Sequence, residues 1–447
     1  MINLKNKKIL ILGFARSGYS TAKILKKLNF DVTLNAADDL SNNAHARELR
    51  ELGVKIVDKS HPLSLLEEID LIVKNPGISY GIEILQKAIE KDIDIITEIE
   101  LTNTLFNVDM VAITGTNGKT TTTQMTYEIL KKDNPKNTFL AGNIGYPSIE
   151  VAYEHQNSLI VTEVSSFQLE GTKYFKPSIA VITNLGTGHL DYHGSVENYQ
   201  NAKRKIYKNQ TEEDVLILNI KEREKYNLNQ INSTIIFYDT KDNTDADVFV
   251  KNNMVVFRNK ELFDIRKLKL PGLHNVENAI NAAVISYMKG ASVENIRAVI
   301  YTFNGVKHRL QYVGDANGVK YYNDSKATNP VATTTALAGF KENIILICGG
   351  KDRGVDFKEL VPYFDRIKTM VVVGESKEIL YELATKNNIN CQRALKIADA
   401  TALASELAEI GDIILLSPAC ASWDQYKCFE ERGDEFIETF NKIKNKG

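Results

Sequence analysis

The seven residues Gly115-Thr116-Asn117-Gly118-Lys119-Thr120-Thr121 carry the most legible chemistry in the chain. They follow the apolar run Val111-Ala112-Ile113-Thr114 and precede a helical stretch reaching toward Leu130, so a strand, a glycine turn and a helix are expected in that order. That order suits a polyphosphate. Glycines at 115 and 118 let the backbone curl so that several N–H groups converge on one anion. The helix start adds its own N–H groups and the positive end of its dipole. Lys119 supplies a mobile charge for the outer phosphates, and the Thr120 hydroxyl suits Mg²⁺. The two glycines stand three apart, closer than in the general phosphate-loop pattern, and the plain alternative is an ordinary turn with a surface lysine.

A second glycine turn lies near the N-terminus, where Lys8–Leu12 runs into Gly13-Phe14-Ala15-Arg16-Ser17-Gly18 and an amphipathic stretch to Leu28. The spacing resembles a dinucleotide fingerprint, in which a diphosphate meets a helix N-terminus. A nicotinamide cofactor would want an acid ending the next strand. Asn35-Ala36-Ala37 stands there instead, with Asp38 and Asp39 beyond, which favours another nucleotide diphosphate.

Single residues elsewhere are weaker signals. Glu163 ends one strand and His189 follows another, and ligands of such sheets gather beyond the carboxyl ends of the strands. Taken singly, a solvated glutamate and a turn histidine explain them. Lys203 sits in the basic helical stretch Asn198–Lys208, which by itself reads as a solvated face. Asn275 opens a helix at His274–Asn278, as a ligand contact or merely a cap. Asp324, Lys326 and Thr328 crowd one loop after a strand, which suggests a charged ligand, and Ser422 follows another strand.

These residues need a scaffold, and the composition supplies one. At 447 residues the chain is expected to form about three domains. A hydrophobic content of 43% with 25% charged residues is that of an ordinary globular protein. A net charge of −2 gives no electrostatic case for nucleic acid or a membrane surface. No apolar run approaches the roughly 20 residues that span a bilayer. Lysines precede the first apolar segment without a cleavage site, so a core strand is expected there and not a signal peptide. Four cysteines without a C-x-x-C pair suit a cytoplasmic location. Strands alternating with helices imply an α/β chain of parallel, doubly wound sheets. The expected domains are a Rossmann-like N-terminal domain over 1–97, a central P-loop-type mononucleotide-binding ATPase domain over 98–305 and a Rossmann-like C-terminal domain over 306–447.

Taken together, Gly115–Thr121, Gly142–Gly145, Ser165–Gln168, His274–Asn278, His308-Arg309, Asn323–Asn329 and Ser417–Gln425 resemble the Mur ligases, ATP-dependent amino-acid ligases of peptidoglycan precursor synthesis. The last two motifs resemble those of the branch that adds D-glutamate to UDP-N-acetylmuramoyl-L-alanine. The resemblance implies a UDP-substrate domain, an ATP domain and an amino-acid domain, in a monomeric enzyme. It implies catalytic roles for Lys119, His189 and Lys203. Gly115 to Thr121, Asn275, Arg309 and Asp324 would hold ATP. Thr120, Glu163, His189 and Lys203 would serve two Mg²⁺ ions, with Lys203 carbamylated. Gly13, Ser17, Gly18, Asn35, Asn75 and Gly77 would lie on the UDP side, and Asn143, Ser165 and Gln168 on the muramoyl-alanine side. Lys326, Thr328, Ser422 and Phe429 would surround D-glutamate. Two positions depart from the pattern: Asn35-Ala36-Ala37 where many members carry an aspartate, and Thr187-Gly188 where some carry two acids. The alternatives are a related ligase such as a folylpolyglutamate synthase, and a nicotinamide-dependent oxidoreductase built on Gly13–Gly18.

Overall fold

Parallel strands covered on both faces need apolar residues at every position, not at alternate ones. Such runs build the inner strands of all three sheets here. The computed structural model describes residues 4–341 and 343–445. The first sheet holds β1 (Lys8–Leu12), β2 (Asp31–Asn35), β3 (Lys55–Val57), β4 (Leu71–Lys74) and β5 (Asp94–Ile96) in the order β3-β2-β1-β4-β5, all parallel. The second holds β6 (Asp109–Thr114), β7 (Thr138–Gly142), β8 (Leu159–Glu163), β9 (Ile179–Ile182), β10 (Val215–Asn219) and β11 (Thr234–Tyr238). It continues through β12 (Val248–Lys251), β13 (Met254–Phe257) and β14 (Lys260–Asp264), giving the order β14-β13-β12-β11-β10-β9-β6-β8-β7. The polar segment 221–264 thus extends this sheet by a parallel strand and then closes in an antiparallel meander.

The third sheet holds β15 (Gln311–Ala316), β16 (Val319–Asn323), β17 (Ile344–Gly349), β18 (Ile367–Val373), β19 (Asn390–Arg393) and β20 (Ile413–Leu416), ordered β15-β16-β20-β17-β18-β19. Only β15 runs antiparallel to its neighbour. In each sheet the strand order reverses around one inner strand: β1, β6 and β17. Each of those strands leads into a glycine turn, Gly13, Gly115 or Gly349-Gly350, at the crevice where such sheets bind ligands.

The chain packs as two compact units. One contains the first two sheets together with Glu277–Ile300; the other contains Arg266–Val276 and the chain from Tyr301 onward. Within the first unit, one apolar cluster runs from Ile11, Leu34 and Val73 of the first sheet through Leu101 to Ile149 and Ile160. Leu101 lies on the helix Glu98–Leu105 that joins the two sheets.

Glu98 is the anomaly of that joint. It is 3% exposed, and its Oε1 accepts the Ile149 N–H at 2.5 Å, fastening the start of the helix Ser148–Glu154. Burial pushes its carboxyl up to about 7 from an ordinary 4.5. The folded chain therefore keeps a proton that the unfolded chain loses, and stability falls as pH rises through that window. The full penalty, on the order of 3 kcal/mol, applies above it. Glu98→Gln keeps the acceptor and removes the charge. The variant should melt higher than the parent at about pH 8 and with it at about pH 4.5, as followed by circular dichroism. An identical difference at both pH values would contradict this.

Candidate active site

The loop after β6 is clamped on both sides. At Gly115 (φ +145°) a Cβ atom would lie 1.9 Å from Thr183 Oγ1, and at Gly118 (φ +82°) it would lie 2.3 Å from Asn278 Oδ1. Thr183 Oγ1 donates to the Asn117 carbonyl at 2.5 Å, and the Asn117 N–H donates to Asn184 Oδ1 at 2.9 Å. The end of β9 therefore fixes the curl of the loop. The helix Lys119–Asp133 starts at Gly118 without a side-chain cap, which suits an anion at its N-terminus. Thr120 and Thr121 are buried in its first turn. Lys119 folds back over the loop, with Nζ donating to the carbonyls of Gly115 (2.9 Å) and Thr116 (3.0 Å). Thr116 in turn accepts the Gly186 N–H at 2.9 Å.

Lys203 overturns the expectation of a solvated face. Its neighbours Arg204 and Lys208 are half-buried and exposed respectively, but Lys203 is 1% exposed. Its Nζ donates to the Gly115 carbonyl at 2.8 Å and lies 4.5 Å from the centre of the Tyr199 ring. Burial, and then the charge of Lys119, push this amine down to about 6, so it is mostly neutral near pH 7. Glu163, at the end of β8, is 2% exposed. Its Oε1 accepts from Asn143 Nδ2 at 2.6 Å, whereas Oε2 is buried with no hydrogen-bond partner. A buried carboxylate oxygen without a donor is costly unless a cation covers it. His189 has a left-handed backbone (φ +51°) and sets its ring edge-on to Phe167 at 4.8 Å. Burial and then Lys203 push its imidazole down, favouring the neutral, ligating form. Among the described residues no three His, Cys, Asp or Glu side chains gather to hold a metal by themselves. Mg²⁺ takes few protein ligands and completes its shell with water and phosphate oxygens. The orphaned Glu163 oxygen and the buried Thr120 fit such an ion.

Beside Glu163 opens a cavity of about 330 Å³. Ser17, Asn75, Gly77, Asn143, Ser165 and Gln168 all line it, with Arg16, Glu98 and Phe167. Ser165 and Gln168 also cap the short helix Ser166–Glu170, Ser165 Oγ accepting the Gln168 N–H at 3.2 Å. Gly13 and Gly18 lie beneath as packing glycines; a Cβ on Gly18 would sit 2.1 Å from the Gly13 carbonyl oxygen. Asn35 is not among the lining residues. It is fully buried, donates to the carbonyls of Val57 (2.8 Å) and Ser60 (2.7 Å), and meets His61 Nδ1 at 2.5 Å. Its side chain ties strands together.

The second unit gathers the other expected residues. Asp324 follows β16; its Oδ1 accepts the Leu310 N–H at 3.0 Å and its Oδ2 the Ser417 hydroxyl at 2.9 Å. Burial pushes its carboxyl up to about 7, and Arg309 acts in the opposite sense. Lys326 lies over the Phe429 ring at 5.8 Å. Ser325 donates to the Phe429 carbonyl at 2.8 Å and is itself held by the buried Arg432, so the 323–329 loop is tied to the last helix. Ser422 is buried, and Thr328 is partly exposed in the same loop as Lys326. Next to Ser422, Trp423 is 66% exposed with the Arg353 guanidinium 5.7 Å from its ring. Asn275 is buried, with Nδ2 donating to the Pro271 carbonyl at 2.6 Å.

Comparison with known proteins covers all three sheets. Residues 7–97 match the Mur ligase MurD-like N-terminal domain, 113–286 the Mur ligase middle domain and 308–420 the Mur ligase glutamate ligase domain. The chain belongs to the Mur ligase family. It is 46% identical over 438 residues to the UDP-N-acetylmuramoylalanine–D-glutamate ligase of Staphylococcus haemolyticus, covering 98% of this chain and 97% of that one. It is 44% identical over 438 residues to the ligase of the same name from Staphylococcus aureus strain MRSA252, with the same coverage. The fold is also that of the UDP-N-acetylmuramate-alanine ligase MurC from Thermotoga maritima, with a TM-score of 0.58 at 19% identity over 98% of this chain and 99% of that one.

In this Mur ligase, the cavity residues Arg16, Glu98 and Phe167 were not singled out from sequence, although Arg16 lies inside the first glycine turn. Arg353 lies just after the glycine pair that ends β17, a position that the strand order marks but the residue type alone does not. The clamp on Gly118 has a direct consequence. Gly118→Ala combines a left-handed backbone with a collision against Asn278, at a cost of ~1–3 kcal/mol. Calorimetry with a non-hydrolysable ATP analogue should show about tenfold weaker binding or worse. Unchanged affinity would contradict the loop assignment.

Proposed function

We infer that this Mur ligase adds D-glutamate to UDP-N-acetylmuramoyl-L-alanine, consuming ATP and releasing ADP and phosphate, in peptidoglycan precursor synthesis. The observation that carries this reading is the end-to-end likeness to two ligases of that name, at 46% and 44% identity. The buried cluster around the phosphate loop supports it.

In this reaction the muramoyl-alanine carboxylate attacks the γ-phosphate of ATP, and the amine of D-glutamate then displaces phosphate from the acyl phosphate. Such transfers need positioning and charge neutralisation above all. The loop 115–121 and Lys119 cradle the phosphates. Thr120 and Glu163 would hold one Mg²⁺, which would screen the charge that builds on the phosphates. Lys203 is mostly neutral where it stands, which suits an amine that captures CO₂ as a carbamate. As a carbamate, Lys203 would offer oxygen to a second Mg²⁺ instead of a positive charge, with His189 as the other residue that would hold it. Asn143 links Glu163 to the cavity and so lies where the muramoyl-alanine carboxylate must approach. Gly13 to Gly18, Asn75 and Gly77 take the UDP end, while Ser165 and Gln168 take the muramoyl-alanine side.

On the second unit, Asn275, Arg309 and Asp324 serve the nucleotide. Lys326, Thr328, Ser422 and the Phe429 backbone serve D-glutamate. Two separated anchors, one on each loop, would grip its two carboxylates and fix the direction of its amine. Inversion at the α-carbon turns the amine away from the acyl phosphate, and aspartate reaches one anchor alone. Each loss is on the order of 1–3 kcal/mol or more. A coupled ADP-release assay should therefore prefer D-glutamate over L-glutamate and D-aspartate by at least about tenfold. Ser422→Ala should raise KM for D-glutamate and leave that for ATP unchanged. Equal rates with the two enantiomers would overturn the reading.

A further inference from the structure

The wall of the cavity formed by Asn75, Pro76 and Gly77 is shaped from behind by a residue that does not line it. Lys74, the last residue of β4, is 1% exposed. Its Nζ donates to the carbonyls of Pro76 (2.9 Å) and Ile78 (2.9 Å), more distantly to that of Asn75 (3.3 Å), and to the Tyr192 hydroxyl (3.0 Å). The rings of Tyr80 and Tyr192 cover it, with centroids 4.8 and 5.5 Å away. This is a built site for one ammonium group, and the mechanism above leaves it without a task.

A trans peptide points its C=O and N–H in opposite directions, and the described backbone contains no cis bonds. Because the Pro76 and Ile78 carbonyls turn to Nζ, the N–H groups of Gly77 and Ser79 in the same peptide planes face away from it. The Gly77 N–H is met on that side by Asn75 Oδ1 at a long 3.3 Å. Oriented N–H groups and a nearby fixed charge together attract an anion. The grip also crosses to the second sheet. Tyr192 lies in the short helix Leu190–His193 that His189 opens, and its ring meets the cavity residue Phe167 edge-on at 4.6 Å.

We propose that Lys74 is a positioning residue for the nucleoside diphosphate end of the substrate. From behind the loop it fixes the peptide planes after Pro76 and Ile78, and with them the Asn75–Gly77 wall of the cavity, and through Tyr192 it ties that wall to the cavity residue Phe167. The proposal rests on the reading of this cavity as the UDP-substrate site. Burial pushes Lys74 down to about 8, so the amine stays mostly charged near pH 7, as this role requires.

The test uses the full chain and two variants, Lys74→Met and Tyr192→Phe; the second removes one hydroxyl and nothing else. UDP is the binding probe, and KM is measured for UDP-N-acetylmuramoyl-L-alanine, ATP and D-glutamate. Lys74→Met should weaken UDP binding and raise the first KM about tenfold or more, and Tyr192→Phe about two- to fivefold. KM for ATP and D-glutamate should stay within about twofold in both. If Lys74→Met does not fold, Tyr192→Phe decides by the same split. Wild-type binding of UDP with unchanged binding in the variants overturns the role of Lys74. So does an equal rise in all three KM values, which marks a merely structural lysine. A wild-type chain that binds no UDP overturns the reading of the cavity itself.

Discussion

A lysine amine buried against the carbonyl of Gly115, with a second lysine close by, cannot comfortably stay charged. The rest of the site is organised around that constraint. Lys203 reaches this position because Tyr199 and Ala202 pack the same face of its helix inward. Its acceptor is the first glycine of the phosphate loop, so loop and lysine share one carbonyl, with Lys119 on the same oxygen. Glu163 brings the opposite charge and leaves one oxygen without a donor. In the protein alone the cluster is unbalanced: two amines compete for a carbonyl while a carboxylate oxygen stands bare. Divalent cations and phosphates would balance it, and so would conversion of one amine to an anion. Frustration of this kind is characteristic of a site built for its ligands.

The same logic recurs at lower stakes around the cavity. Lys74 and Glu98 are buried ionisable residues beside it, each fastening backbone groups of a loop or helix that lines or approaches it. Buried ionisable groups of this sort seldom add net stability. The three sheets repeat one further device: each places a glycine turn after the strand where the order reverses. In the proposed reaction one such crevice faces a diphosphate and one a triphosphate. The third, after β17, stands beside Arg353 and Ser422 on the amino-acid side.

Much of this was legible in the sequence because its chemistry is local. Strand, glycine turn and helix follow one another within Val111–Thr121, and the Asn323–Asn329 loop carries its polar groups in a row. Apolar runs marked out the three α/β domains in the same way. What escaped depends on tertiary placement. Lys203 reads as part of a basic solvated face, and nothing in Asn198–Lys208 says which lysine turns inward. The resemblance puts Asn35 on the UDP side, yet its side chain is occupied by Val57, Ser60 and His61, more than twenty positions away. Lys74 and Glu98 look like ordinary surface charges until β4 and the joining helix bury them. Local propensity shows which segments form; only packing shows which charges lose their water.

In the proposed reaction the chemistry turns on Lys203 as a mostly neutral amine that would become an anionic metal ligand. Incubating the enzyme with isotopically labelled bicarbonate and Mg²⁺ tests this through the carbon resonance of a carbamate. That resonance is expected in the active wild-type chain and should be lost in Lys203→Ala. An active chain without it, or the same resonance retained in Lys203→Ala, would contradict a carbamate on this lysine.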